Sequence, residues 1–188
     1  NRSFEADTVR ALGRIVANGH LEKGEKPVHW CMDCRSALAE AEVEYQDKIS
    51  HSIDVKFTVL PAHVTSTCSA FGIDVLEDIA IVIWTTTPWT IPSNVAVCLN
   101  QEFDYVLVET SQGHLILAED LAEDCSNRWG LEMKILGSTS GKNLANIVLQ
   151  HPLYERESKV LLGDHVTTEN GTGCVHTAPA HGLDDYFI

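Results

Sequence analysis

The stretch that decides the fold is Ile79-Ala80-Ile81-Val82-Ile83-Trp84-Thr85-Thr86-Thr87-Pro88-Trp89-Thr90-Ile91-Pro92. Its first six residues form an unbroken apolar run rich in β-branched Ile and Val, which predicts a strand buried on both faces. Pro88 and Pro92 then forbid regular ladder pairing, so the three threonines fall where the strand ends. Threonine has high β-propensity, and a plain strand end is one reading of them. Hydroxyls and irregular backbone amides beside tryptophan also suit a pocket that orients a small polar ligand, which is the other.

Strand signals continue on both sides of this stretch. Ile53, Val55, Phe57 and Val59 alternate as in a strand with one buried face, and Val95–Leu99, Tyr105–Val108, Leu115–Leu117, Lys134–Leu136 and Val160–Leu162 read as further strands. Helices are predicted from Ser3, with Phe4, Val9, Leu12, Ile15 and Val16 at helical spacing up to Asn18 and Gly19, and over Glu119–Trp129 up to Gly130. Helical segments thus flank a strand-rich middle. A chain that starts and stops beside helical segments is expected to be a piece of a longer protein.

The second informative stretch is Gly171-Thr172-Gly173-Cys174-Val175-His176-Thr177-Ala178-Pro179-Ala180-His181-Gly182-Leu183-Asp184-Asp185-Tyr186. A short apolar strand is followed by a turn and a helix start. His176 reads either as a satisfied strand histidine or as part of a site, because Gly171 and Gly173 permit close backbone approach. Asp184 and Asp185 match the dipole of a helix N-terminus, and equally could pair with a substrate ammonium.

The remaining chemistry is sparse. Cys31 and Cys34 form half of a zinc-ribbon pattern with no second pair to complete it, and all six cysteines are expected to be thiols. His20, His51, His63, His114, His151 and His165 show no clustering and are expected to be surface or structural residues. Glu119, Asp120, Glu123 and Asp124 read as the wet face of a helix. No P-loop, dinucleotide fingerprint or serine elbow occurs. A net charge of −14 over 188 residues argues against strong phosphate binding by this chain alone. No apolar run is long enough to span a membrane and no leader opens the sequence, so a cytoplasmic location and no membrane partner are expected.

Trp84–Asn94 and Gly171–Tyr186 together closely resemble the editing insertion of isoleucyl-tRNA synthetases, and Pro27–Tyr45 resembles that family's segment leading into it. Valyl and leucyl relatives typically carry arginine where this chain has Pro88-Trp89, so the isoleucyl member is favoured, with the valyl editing domain as the alternative. The resemblance implies a compact, β-barrel-like α/β editing domain with flanking helices. Residues 1–50 would be a lead-in segment, and 51–188 the editing domain, truncated on its C-terminal side.

The implied activity is hydrolysis of valine from the isoleucine tRNA, and of valyl-adenylate, without aminoacylation. Partners would be that tRNA and the remainder of the synthetase. Zinc and ATP with magnesium are expected for the full-length enzyme, and no cofactor for this fragment. By resemblance, Thr86, Thr87, His176 and Asp185 carry the reaction, while Thr85, Trp89 and Asn94 join His176 and Asp185 in holding substrate. Asp185 takes the α-ammonium and His176 limits pocket size. A second, size-excluding site answers the small return from one methylene, about 1–3 kcal/mol, a limit for which these synthetases are themselves the standard worked case. A noncatalytic tRNA-binding module and a zinc or redox module are the competing classes.

Overall fold

The structure, a computed structural model, describes residues 1–188. Helix α1 (Arg2–Ala17) begins two residues earlier than a cap at Ser3 predicts, because the Asn1 side chain accepts from the Ser3 N–H and caps the helix instead. It buries none of its residues. After it, β1 (Trp30–Cys31) and β2 (Ser36–Ala37) make a small hairpin, and no residue from 1 to 50 is buried.

From residue 53 onward the chain builds two larger sheets. Its elements are β3 (Ile53–Thr58), α2 (Pro61–Ala70), β4 (Ile79–Thr85), β5 (Ala96–Leu99), β6 (Asp104–Thr110), β7 (Gly113–Ala118), α3 (Ala122–Trp129), β8 (Lys134–Ser140), β9 (Val148–Gln150), β10 (Glu157–Leu162), β11 (Val175–Thr177) and α4 (Leu183–Phe187). One sheet runs β3-β4-β7-β6-β8 and the other β11-β5-β10-β9. They are joined along one seam, where Val59 bridges Leu149 and the Leu60 N–H donates to the Val148 carbonyl at 3.0 Å. The result is one barrel-like wall around a single core of 26 buried residues, among them Phe57, Ile79, Ile81, Ile83, Leu107 and Ile116.

The apolar run behaves as its composition requires. In β4 every residue but Trp84 is buried, since the strand is interior to its sheet, between antiparallel β3 and parallel β7. The predicted helix over 119–129 is split: Glu119–Leu121 form a 3₁₀ turn, and α3 then runs to Gly130, whose left-handed φ of 62° ends it. Helix α2 was not anticipated, because its Thr- and Ser-rich sequence carries little amphipathic signal. It starts at Pro61, where a missing N–H costs nothing.

Candidate functional site

Where β4 leaves its sheet, the two prolines turn the chain into a 3₁₀ segment over Pro88–Ser93. The segment starts with a local lock: the Thr87 N–H donates to Thr85 Oγ1 at 3.0 Å, and the two threonine hydroxyls lie 3.2 Å apart. The far end is held by the β9–β10 hairpin. His151 Nε2 donates to the Ile91 carbonyl at 2.9 Å, and Arg156 Nη2 donates to the carbonyls of Pro92 and Asn94 at 2.9 and 2.6 Å. The nonregular backbone thereby gains the partners that sheet pairing would have supplied.

Strand β11 sets His176 against this segment. It pairs with β5 so that His176 stands opposite Val97, and the residue is 8% exposed. A buried chain of polar side chains runs through it. Ser158 Oγ donates to Asn94 Oδ1 at 2.7 Å, and Asn94 Nδ2 lies 2.7 Å from the Ala96 carbonyl and 3.2 Å from His176 Nδ1. His176 Nε2 is 2.8 Å from Thr90 Oγ1, which itself donates to the Thr87 carbonyl at 2.8 Å.

The direction of this chain follows from its fixed members. The Ala96 carbonyl can only accept, so it must face the amide nitrogen of Asn94, and His176 Nδ1 therefore receives an Asn94 N–H. Thr90 spends its hydrogen on the Thr87 carbonyl, so His176 Nε2 must carry the proton. The ring is neutral, with both nitrogens engaged. Burial also pushes its pKa down, opposed by the carboxylate of Asp185 and reinforced by His181 and His151.

Asp185 lies in the first turn of α4, with Oδ2 accepting the Ala178 N–H at 2.7 Å. That single bond ties the helix to the turn after His176, leaving the other carboxylate oxygen uncommitted. Asp184 is exposed. His181 Nε2 and Ser93 Oγ, 3.0 Å apart, join the same turn to the end of the 3₁₀ segment.

Thr85 and Thr86 also border a cleft of about 290 Å³, whose other walls include Trp84, His165, Glu169 and the turn Gly171–Val175. Gly171 and Gly173 both adopt left-handed φ values, 87° and 70°. A Cβ on Gly173 would sit 2.3 Å from the Ala118 Cβ, so the turn can approach β7 only without a side chain. From behind, Arg128 forks onto Asp54 at 2.8 and 3.2 Å and reaches the Gly171 carbonyl at 3.2 Å.

The residues expected from the sequence thus fall into two adjoining groups. Thr87, Asn94, His176 and Asp185 gather around the buried chain, and Thr85 and Thr86 connect it to the cleft. Trp89 is 66% exposed, and the aromatic wall of the cleft is Trp84. Ser158, Arg156 and Thr90 were missed, and His151, expected to be a surface or structural residue, is a structural support of the segment. Ser158 did leave a signal, since it occupies the inward register of β10 beside Val160, where an apolar residue is expected.

The Cys-x-x-Cys pair is elsewhere. Cys31 and Cys34 lie at the β1–β2 hairpin, with the Cys34 N–H 3.3 Å from Cys31 Sγ, a bond that lowers the Cys31 pKa. No group of three or more His, Cys, Asp or Glu side chains is placed to hold a metal ion there or anywhere in the chain. The two thiols fit half of a tetrahedral zinc site, and two further donors would have to come from outside.

Sequence comparison agrees with the geometry. Residues 1–165 match the model of tRNA synthetases class I (I, L, M and V), and the chain belongs to that family. Within it, the chain is 55% identical over 186 residues to isoleucine–tRNA ligase of Thioalkalivibrio sulfidiphilus and 56% identical over 183 residues to that of Chromobacterium violaceum. These alignments cover 98% and 97% of the chain but 20% of each relative, so the chain spans about a fifth of their length. Two solved structures share the fold. The crystal structure of GlLeuRS-CP1 matches with a TM-score of 0.63 at 20% identity, over 73% of this chain and 58% of that one. The editing domain of the P. knowlesi cytosolic leucyl-tRNA synthetase matches at 0.62 and 13% identity, over 77% and 64%.

Proposed function

We propose that this chain is the editing part of an isoleucine–tRNA ligase and hydrolyses valine from the isoleucine tRNA, with valyl-adenylate as a second substrate. Residues 51–188 form the hydrolytic unit. Residues 1–50 lead in from the remainder of the synthetase, which supplies most of the tRNA contact that a charge of −14 cannot. Aminoacylation, with its ATP and magnesium, belongs to that remainder, as do the donors that complete a zinc site with Cys31 and Cys34. The whole enzyme works in the cytoplasm, and here no helix is long and apolar enough to cross a membrane.

The observation that carries this reading is the buried chain through His176. A histidine with both nitrogens committed is a rigid wall, not a proton acceptor, and a rigid wall is what size exclusion needs. Valine's ammonium pairs with the free oxygen of Asp185, and Trp89 flanks the opening. Thr86 and Thr87 orient the ester, and the terminal adenosine occupies the cleft bounded by Thr85 and Thr86. A water attacks the ester carbonyl, backbone N–H groups of the threonine segment hold the oxyanion, and the ribose oxygen leaves with a proton as the C–O bond breaks. The reaction needs placement more than a strong base, because the ester is already activated.

Replacing the wall tests the reading. His176→Ala opens the pocket, and hydrolysis of isoleucyl-tRNA rises about tenfold or more while valyl-tRNA is still cleaved. A folded variant that still spares isoleucine would remove His176 from selectivity.

A further inference from the structure

Ser158 stands in an odd place. It is 0% exposed on a strand whose other inward residues are Val160 and Leu162, in a register where a hydroxyl has no water to satisfy it. Its only partner is Asn94 Oδ1, also 0% exposed, at 2.7 Å. The amide of Asn94 is otherwise saturated on its nitrogen, one hydrogen going to the Ala96 carbonyl and the other to His176 Nδ1. Ser158 is thus the one donor that completes the amide, and the amide is the one donor to His176 Nδ1.

We propose that Ser158 is a positioning residue for selectivity, holding Asn94 so that His176 is fixed as a neutral, Nε2-protonated wall. The inference rests on reading His176 as the element that excludes isoleucine. Ser158 touches no substrate and acts through two intermediates. Its hydroxyl also polarises the amide, so each bond along a one-way chain strengthens the next. Without it, a buried carbonyl oxygen lacks a partner, and the amide must swing or admit a water; either weakens its hold on the ring.

The backbone of the segment is held separately, by His151 on Ile91 and by Arg156 on Pro92 and Asn94. Loss of Ser158 is therefore local to the side chains. The charged or titratable groups facing His176 are Asp185 from α4, His181 from the turn before it, and His151 from the loop after β9, with Arg156 on the Asn94 carbonyl. None of them donates to Nδ1, so none replaces the lost bond.

The experiment is long-range ¹⁵N–¹H spectroscopy of the histidine-labelled 188-residue chain, with His176 assigned by its absence in His176→Gln. The native ring shows the Nε2-protonated tautomer. In Ser158→Ala the tautomer becomes mixed or the ring titrates about half a pH unit higher, and Ser158→Thr, which keeps the hydroxyl, restores the native signature. Isoleucyl-tRNA hydrolysis rises about threefold or more in Ser158→Ala, with valyl-tRNA hydrolysis little changed. A native ring protonated on Nδ1 overturns the proposal without any variant. An Ala variant with native tautomer and titration overturns it equally. If the spectra behave as described while no variant cleaves either ester, the positioning stands and the hydrolase reading fails.

Discussion

Asp185→Asn separates charge from structure at the centre of the site. The asparagine keeps an oxygen in place of the one that accepts the Ala178 N–H at 2.7 Å, so the turn between β11 and α4 stays tied. What is lost is the negative charge that would face the substrate ammonium. A hydrogen bond between charged partners contributes about 1.5–3 kcal/mol, which corresponds to a loss of roughly 10- to 150-fold in kcat/KM. Asp185→Ala removes the tether as well and falls further. Asp184→Asn, one residue away and exposed, changes the rate by less than about twofold, since screened surface charges contribute little. Deacylation of valyl-tRNA at matched fold content, judged by circular dichroism, compares the three. Asp185→Asn within about threefold of the native rate would refute the ammonium role, since no charge-assisted bond is that weak in a partly buried pocket.

Two further outcomes follow from the same structure. His151 and His176 both have pKa values held below the ordinary 6.5, chiefly by burial, so the unfolded chain binds more protons than the folded one below that pH. Stability should be level above about pH 6.5 and decline as the pH falls towards the two folded values, well before Glu109, held below 4.5 by Lys134, begins to matter; thermal melts from about pH 7.5 to 5 that do not move would contradict this. Gly173→Ala forces a methyl 2.3 Å from the Ala118 Cβ at a φ of 70°, and should cost about 2–4 kcal/mol in urea unfolding. A loss below about 0.5 kcal/mol would mean that the turn does not need its close approach to β7.

Legibility from sequence followed the strength of local signals. The β4 run was unmistakable because burial on both faces leaves no polar position, and α3 ended where Gly130 said it would. Helix α2 was invisible, since Ser66, Thr67 and Ser69 return their hydroxyls to carbonyls three or four residues earlier and the helix shows no apolar stripe. Within the site, the two long motifs named the residues that meet at His176. They could not say whether its ring accepts a proton or forms a wall. That depended on the Ala96 carbonyl and on Thr90, whose bonding directions exist only once the chain has folded. Ser158, His151 and Arg156 stand about sixty residues from the segment they support, a distance no local pattern spans.

The most direct measurement is deacylation of valyl-tRNA and isoleucyl-tRNA, both on the isoleucine tRNA, by this chain at high concentration and low salt. Release of valine with isoleucine retained is the predicted result, and the high concentration offsets the weak tRNA binding expected from a charge of −14. Release of neither, from a folded chain that also fails to bind a nonhydrolysable valyl-adenosine analogue, would contradict the account.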